Sequence, residues 1–290
     1  MIGFLLTVGP REGDLAVDAM HAILHFYPGA KIFVRDDATA DGTFEKLQQV
    51  AAKYPDHIDL VRNPSPMGFS GIPVSAFRSY ERICRTEEKL EMLIQLDPDV
   101  WLQNGIVEFA REKFLKYGPG IIGSYMRTPA QTKRSHSWHR NNILRDLVPF
   151  GRDKASKRFR AGLPFYARYL PAAFKNGYKL GHHVLAAFYI VHGETLYALD
   201  RIGFWSSIPE QGSRIVKEDD PLISMGAYIV GHRLIELHDE GHPRAWVQHR
   251  IPLPVSARQI LEERYIAVHP LKNDEQSITL RNELAMKMRS

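Results

Sequence analysis

Apolar positions follow two different spacings along the first 126 residues of the chain. Short continuous apolar runs, which are typical of buried strands, alternate with stripes at three- and four-residue intervals, which are typical of helices. The runs predict strands at 2–8, 32–34, 57–61, 92–96 and 121–126. The stripes predict helices at 15–26, 44–51, 74–84 and 106–115. This alternation predicts an α/β fold with a mainly parallel sheet flanked by helices.

The pattern changes after residue 126. Residues 127–183 contain scattered aromatic side chains without a clean period, which predicts an insertion of short helices and loops. Regular spacing then returns, with strands expected at 185–191 and 233–237 and helices at 195–203, 222–230 and 277–287. We expect one domain with two halves, residues 1–126 and residues 127–290, and the second half includes the insertion 127–183.

Positive charge is concentrated in the insertion. The chain of 290 residues has a formal net charge of +5, whereas residues 127–179 hold thirteen Lys or Arg and two acids, a net charge of +11. The rest of the chain therefore carries a net charge of −6. A basic block within an otherwise acidic protein predicts an anionic partner, such as a phosphate-bearing acceptor, a membrane surface or nucleic acid. The alternative is a solvated basic face that has no partner.

The composition is that of a soluble globular protein, with 44% hydrophobic and 24% charged residues. The longest apolar run, 184–191, is far shorter than the roughly 20 residues that span a bilayer. Cys84 is the single cysteine, which excludes an internal disulfide and a thiolate metal cluster. The first residues lack a basic leader and suit a buried strand, so we expect no signal peptide. We therefore expect a cytoplasmic protein, with peripheral contact to an anionic membrane through residues 127–179.

Two acidic motifs stand where predicted strands end. Asp36 and Asp37 follow the apolar run 31–34, and Asp97 and Asp99 follow the run 92–96. Open α/β sheets bind ligands at the carboxyl ends of their strands, and buried carboxylates there are costly unless they bind something. Carboxylates at positions i and i+2 can both reach one divalent cation, and Mg²⁺ and Mn²⁺ prefer oxygen ligands. The motifs predict a site for a nucleotide diphosphate and its metal, whereas the alternative is a pair of turns or helix caps.

The segment 35–43 reads Arg-Asp-Asp-Ala-Thr-Ala-Asp-Gly-Thr. It resembles the Asp-Asp-x-Ser-x-Asp-Gly-Thr signature of the large inverting family of GT-A glycosyltransferases, with Thr39 in the serine position. The run 96–102 is similar to the metal-binding segment of those enzymes. The resemblance covers about residues 2–126 and 190–237 and implies a GT-A, Rossmann-like fold. It also implies a nucleotide-sugar donor, for which we expect a UDP-sugar, and Mn²⁺ or Mg²⁺ held by Asp97 and Asp99.

The first acidic motif supplies candidate contacts to the nucleotide. A carboxylate at this strand end can accept the imide N–H of uracil and a ribose hydroxyl. Asp36 and Asp37 are the candidates, and the sequence does not rank them. Asp41 is expected to cap the next helix instead.

Loops after the first and third strands add further candidates. Thr7, Gly9 and Arg11 resemble the family's first nucleotide-contacting loop. Arg62 and Arg78 flank a loop that contains Gly68 and Gly71, and a guanidinium there can contact phosphates. The alternative for either Arg is a charge on a helix surface.

A third motif, Glu218-Asp219-Asp220-Pro221, precedes a predicted helix. In the family, a Glu-Asp pair before a leucine-bearing helix carries the catalytic base. The resemblance therefore assigns catalysis to Glu218, Asp219 and Asp220, and alignment of the Glu-Asp pair favours Asp219 as the base. Pro221 replaces an Asp of the usual pattern, which keeps Asp220 open as the base. The alternative is an acidic helix start that complements the helix dipole.

The segment 268–272 reads Val-His-Pro-Leu-Lys. Several GT-A enzymes use a late histidine as a third metal ligand and a nearby lysine on the diphosphate. The resemblance therefore implies that His269 binds the metal and that Lys272 contacts the donor. The alternative for His269 is a hydrogen-bonded core or surface residue.

The motifs together predict a metal-dependent inverting glycosyltransferase. It would transfer a sugar to a hydroxyl of a glycan or lipid-linked acceptor, in the synthesis of surface glycans or glycolipids. One alternative is a nucleotidyltransferase with a similar sheet, whose first loop is usually glycine-rich and basic. Another is a nucleic-acid-binding protein, because aromatic residues interleaved with Arg in 127–179 suit stacking on bases.

Overall fold

A computed structural model describes residues 1–68, 71–147, 154–208, 219–239, 244–248, 253, 255–272 and 274–289. In these residues the strands are β1 (Ile2–Val8), β2 (Lys31–Asp36), β3 (Ile58–Arg62), β4 (Met92–Leu96), β5 (Trp101–Leu102), β6 (Gly120–Gly123), β7 (Phe188–His192), β8 (Arg233–Glu236), β9 (Trp246–Val247) and β10 (Ala267–His269). The helices are α1 (Gly13–Phe26), α2 (Thr43–Lys53), α3 (Ile72–Thr86), α4 (Ile106–Tyr117), α5 (Ser137–Leu147), α6 (Lys154–Lys175), α7 (Gly193–Arg201), α8 (Asp220–Ile229), α9 (Ala257–Glu262) and α10 (Glu275–Arg289).

Seven strands form the central sheet in the order β3-β2-β1-β4-β7-β6-β8. The strands β3, β2, β1 and β4 are parallel, and β7 is antiparallel to both of its neighbours. The predicted mainly parallel α/β sheet is confirmed. Because parallel strands end at the same edge, the segments that follow β1, β2 and β4 meet there.

Alternate side chains of the sheet enter two apolar layers. Phe4 and Leu6 pack in the layer that contains α1, α2 and α4. Leu5, between them on β1, packs in the opposite layer with Phe77 of α3 and Phe204. A sheet that is covered on both faces explains why its strands read as continuous apolar runs.

A second sheet, β5-β10-β9, joins the second acidic motif to the end of the chain. Val268 pairs with Trp101, and Ala267 pairs with Leu102. Leu271 donates its backbone N–H to the carbonyl of Asp99 at 2.8 Å. This pairing brings residues 269–272 beside residues 97–99, which are about 170 positions away in sequence.

The insertion differs from the expectation of short helices and loops, because α6 is a helix of 22 residues. Its inner face, Phe165, Tyr166, Tyr169, Leu170 and Ala173, is buried in the core at helical spacing. The exposed side also carries apolar residues, among them Leu163, Pro171 and Phe174, which interrupt its polar positions. Pro164 and Pro171 lie inside the helix, and interior prolines disfavour the prediction of a helix.

The prediction that Asp41 caps α2 differs by one position. The N-cap residue is Gly42, which has a φ of 86°. Asp41 precedes it and accepts the backbone N–H groups of Thr43 at 3.2 Å and Arg11 at 2.6 Å. Asp41 therefore ties the loop after β1 to the start of α2.

The expected strand 121–126 is shorter in the structure, because β6 ends at Gly123. After this point the backbone N–H groups of Met126 and Arg127 donate to the carboxylate of Glu236 at 2.5 and 3.2 Å.

Among the helices of the described ranges, none has the length and apolar character needed to cross a bilayer.

Candidate active site

A cleft of about 520 Å³ opens at the carboxyl ends of β1, β2 and β4. The start of α8 and the segment after β10 close its other sides. Its polar lining is Thr7, Gly9, Glu12, Asp37, Gly68, Gly71, Ser75, Gln95, Asp97, Asp99, Asp219, Asp220, His269 and Lys272. We call this cavity the strand-end cleft. It brings together acids from all three of the sequence motifs.

Asp97, Asp99 and His269 form a compact group on one wall of the strand-end cleft. One ligand atom from each residue lies within 4.8 Å of those from the other two. The imidazole Nε2 of His269 is 3.2 Å from Oδ1 of Asp99, and Nζ of Lys272 is 4.0 Å from Oδ2 of the same carboxylate. Two carboxylates and an imidazole form a donor set that suits a divalent cation.

The pKa of Asp97 is raised to about 7, chiefly by burial; the charge of His269 lowers it, and the charges of Asp99, Asp219 and Glu12 raise it. Burial alone would lower the pKa of His269, but the hydrogen bond and charge of Asp99 and the charge of Asp97 raise it. Burial of converging carboxylates costs free energy that a bound cation relieves. The electrostatics of this wall therefore favour a positive ion.

Asp36 and Asp37 are neighbours in sequence but lie in different environments. Asp36 is fully buried outside the cleft lining, where it accepts the Thr39 hydroxyl at 2.6 Å and pairs with Nε of Arg62 at 3.3 Å. Asp37 lines the cleft and accepts Nδ2 of Asn63 at 3.0 Å and the backbone N–H of Gly68 at 2.8 Å. Asp37 also accepts the backbone N–H of residue 67 at 2.9 Å. It therefore holds the loop after β3 against the cleft.

Asp219 is buried at the start of α8 and faces the cleft. The Tyr189 hydroxyl donates to Oδ2 of Asp219 at 2.8 Å. The Tyr189 hydroxyl also contacts the Tyr80 hydroxyl at 2.5 Å, and the Tyr80 hydroxyl donates to Oε1 of Gln95 at 3.3 Å. Burial raises the pKa of Asp219, and the hydrogen bond from Tyr189 lowers it. The hydrogen bond from Tyr189 fixes Oδ2 of Asp219, and Asp219 lines the cleft.

Asp220 lies beside Asp219 and is also buried. Its ligand atoms and those of His139 and His183 lie within 4.8 Å of one another. Nδ1 of His183 donates to the carbonyl of residue 181 at 2.7 Å, and Nε2 accepts from Nη2 of Arg134 at 3.0 Å. Since the lone pair of Nε2 is already used and a guanidinium lies next to it, we describe this group as a hydrogen-bonded cluster and not as a metal site.

The other predicted site residues divide between the cleft and its surroundings. Thr7, Gly9 and Lys272 line the cleft. Arg11, Arg62 and Arg78 are not among its lining residues. Arg62 donates to the Thr39 carbonyl and stacks 4.5 Å above the Phe44 ring, so it supports the first acidic motif from behind. Glu218 lies outside the described residues.

Sequence reasoning missed several residues of the cleft and its supporting shell. Glu12 lines the cleft and accepts the backbone N–H of Gly9 at 2.6 Å. Gln95 was detectable, because it is the single polar residue within the apolar run of β4. Tyr80 and Tyr189 lie within apolar patterns, where a tyrosine reads as an ordinary core residue.

No family model and no curated protein matches the sequence, but solved structures match the fold. The galactosyltransferase LgtC, in complex with donor and acceptor sugar analogs, is 12% identical with a TM-score of 0.50. That match covers 98% of this chain and 95% of LgtC.

Two further structures are similar at lower TM-scores. The mannosyltransferase PcManGT from Pyrobaculum calidifontis, in complex with GDP-Man and Mn²⁺, is 14% identical with a TM-score of 0.48. The match covers all of this chain and 64% of that protein, so the chain spans less than two thirds of the mannosyltransferase. S. aureus TarS is 12% identical with a TM-score of 0.45, over 82% of this chain and 35% of TarS.

At these identities the comparisons show the fold alone. The full-length match to LgtC, together with the mainly parallel sheet and its flanking helices, confirms the expected GT-A class of α/β fold. The roles of individual residues rest on the geometry of the strand-end cleft.

Proposed function

We propose that this chain is a metal-dependent inverting glycosyltransferase that uses a nucleotide-sugar donor, with a UDP-sugar as the expected donor. One observation carries the proposal: Asp37, Asp97, Asp99 and Asp219, from three separate segments of the chain, line a single cleft at the strand ends. Ligands of open α/β sheets bind at this edge. The glycosyltransferase fold of the chain supports the same conclusion.

In this proposal Asp97, Asp99 and His269 hold a Mn²⁺ or Mg²⁺ ion. The donor set fits such an ion, because two carboxylates and an imidazole converge, and burial together with the neighbouring carboxylates raises the pKa of Asp97. When bound, the ion neutralises charge that develops on the departing diphosphate. Lys272, half exposed at the cleft, supplies a further positive charge for the diphosphate.

The nucleotide is assigned to the side of the cleft formed by β1 and β2. Asp37 uses its carboxylate to hold the loop at residues 67–68 and retains acceptor capacity for a base N–H or a ribose hydroxyl. The backbone around Thr7 and Gly9 lines the same side. Asp36 is assigned a supporting role, because it is buried behind the motif and paired with Arg62.

Asp219 is assigned as the general base. It would accept the proton of an acceptor hydroxyl while that oxygen attacks the anomeric carbon from the face opposite the diphosphate. Inversion at that carbon follows from a single displacement. Residues 1–126 would supply most donor contacts and residues 127–290 the acceptor side, where a glycan or lipid-linked acceptor would bind. Asp220 is the second candidate, but its carboxylate lies in the cluster with His183.

The donor can be tested by thermal unfolding with UDP-, GDP- and dTDP-sugars, each with and without Mn²⁺. A ligand at a hundred times its dissociation constant stabilises the folded state by about 2.7 kcal/mol. We expect the largest stabilisation with a UDP-sugar and Mn²⁺ together. Stabilisation by nucleoside triphosphates and not by nucleotide sugars would instead favour a nucleotidyltransferase.

The reaction can be tested with the stabilising donor and a panel of glycan and lipid-linked acceptors. Proton NMR of the product reports the configuration at the anomeric carbon. We expect the configuration opposite to that of the donor. Retention of configuration would contradict the single displacement and the base role of Asp219.

A further inference from the structure

The outer face of α6 carries apolar residues that contact solvent. Leu163, Pro164, Ala167, Pro171 and Phe174 are all exposed. Their spacing of three to four residues places them along one side of the helix, opposite the buried face that packs in the core. We call these five residues the outer stripe. The side chains of Leu163 and Phe174 are 38% and 48% exposed.

Exposed cations occur on α6 and on α5, the helix that packs against it. On α6 itself Lys175 is exposed, and Lys179 is exposed just after the helix ends. The neighbouring helix α5 presents Arg140, Arg145 and Trp138 to solvent, and Trp138 is 54% exposed. Between residues 127 and 179, the one acid whose side chain the structure describes is Asp146, which is buried. The described surface of this segment is therefore cationic and apolar without exposed acids.

These features distinguish between the anionic partners that the charge alone allows. Base stacking needs exposed aromatic rings, but four of the six aromatic side chains that the structure describes in this segment, Phe165, Tyr166, Tyr169 and Tyr178, are buried, and only Trp138 and Phe174 are exposed. What the segment exposes is mostly Leu, Pro and Ala beside Lys and Arg. A surface helix with an apolar stripe and flanking cations is typical of interfacial membrane binding. Anionic headgroups attract the cations while the apolar side chains enter the acyl boundary.

We propose that the outer stripe of α6 and the cations around it dock this protein on an anionic lipid surface. The helix lies flat on the membrane, with its inner face held by the protein core and its outer face toward the lipid. This inference is independent of the proposed sugar transfer, because it concerns a different face and needs no substrate. It assigns a lipid surface as the partner of the basic segment 127–179, with nucleic acid as the competing outcome.

Vesicle co-sedimentation of the full chain tests this proposal. We expect binding to vesicles with phosphatidylglycerol, weaker binding at high salt, and little binding to pure phosphatidylcholine. Leu163→Ser with Phe174→Ser should weaken binding at least about tenfold, because two apolar side chains no longer enter the lipid. The matched control is Leu115→Ser on α4, a leucine that is 91% exposed on another helix, which should bind as the unmodified chain does.

A second variant keeps the test decisive if the serine variant unfolds. Lys175→Gln with Lys179→Gln removes two exposed charges and should weaken binding to phosphatidylglycerol vesicles about fivefold for each charge. Three results would overturn the proposal: equal binding to both kinds of vesicle, full binding by the folded serine variant, or binding to RNA or DNA without binding to vesicles.

Discussion

The strand-end cleft and the surface formed by α5 and α6 are both strongly charged. They differ in how far their charged side chains are buried. In the cleft, the partly buried Asp97 and Asp99 converge with the buried Asp219 from a different segment, and the pKa of Asp97 is raised to about 7, chiefly by burial. On α5 and α6, Arg145 and Lys175 are exposed to water, where salt screens their charges. Converging buried charge needs a counter-ion, whereas dispersed exposed charge does not. Burial therefore distinguishes a site for chemistry from a surface for docking.

Asp219→Asn is expected to have the largest effect of these variants, because it should abolish most turnover and leave lipid binding unchanged. An amide cannot accept the acceptor's proton, and loss of a general base lowers kcat by about 10²–10⁴-fold. Binding to phosphatidylglycerol vesicles should not change, because the substitution lies in the cleft. The measurement is initial-rate kinetics with the donor and acceptor identified by the tests above, together with co-sedimentation.

The matched variant for Asp219→Asn is Asp220→Asn. If Asp220 is the base instead, the two variants exchange their effects on kcat. Full activity of Asp219→Asn would remove Asp219 from the proposed chemistry.

Tyr189→Phe is expected to have an intermediate effect. It removes the hydrogen bond to Asp219, and a hydrogen bond to a charged group contributes about 1.5–3 kcal/mol, so kcat should fall roughly tenfold or more. Donor affinity should change little. The pH profile adds a second readout, because loss of this bond raises the pKa of Asp219 further above its usual value. A base works when ionised, so the acidic limb of the profile should move to higher pH.

Tyr197→Phe is the control for this prediction. Its hydroxyl donates to the carbonyl of Glu87 and accepts the N–H of Leu90, away from the cleft. We expect its kcat and pH profile to match those of the unmodified chain. An unchanged acidic limb in Tyr189→Phe would show that Asp219 does not set it.

Arg62→Met should have the smallest effect on turnover. It tests whether Arg62, which does not line the cleft, contacts the donor. Arg62 pairs with buried Asp36, so its loss leaves that carboxylate with fewer partners. We expect the free energy of unfolding to fall by about 1–3 kcal/mol in chemical denaturation. The donor's KM should change less than twofold, and a large rise in KM would instead place Arg62 in contact with the donor.

Much of the fold follows from sequence because each strand of the first half is a short apolar run between turns. Such runs locate the carboxyl ends of β2 and β4, and the sequence alone therefore predicts that their acids share one edge of the sheet. The sequence could not separate Asp36 from Asp37. That choice depends on the direction of two neighbouring side chains, and Thr39 and Arg62 decide it through contacts in the folded state.

The rest depended on contacts between distant segments. His269 reaches Asp99 because β10 pairs with β5, and neither short strand has a recognisable pattern. The support of Asp219 by Tyr189 crosses from β7 to α8. Helix α6 was not predicted because Pro164 and Pro171 lie inside it and because apolar residues also occur on its exposed side. That same property is the basis for the proposed membrane contact.

The central claim is that Asp97, Asp99 and His269 hold one cation in the same cleft in which Asp37 and the loop after β1 bind the donor nucleotide. Electron paramagnetic resonance of free Mn²⁺ during titration with protein, with and without UDP, measures this directly. The account predicts that the unmodified chain and Arg62→Met bind Mn²⁺ more tightly when UDP is present, and that Asp99→Asn, folded by circular dichroism, binds it at least about tenfold more weakly. Equal Mn²⁺ affinity in Asp99→Asn and the unmodified chain would contradict it.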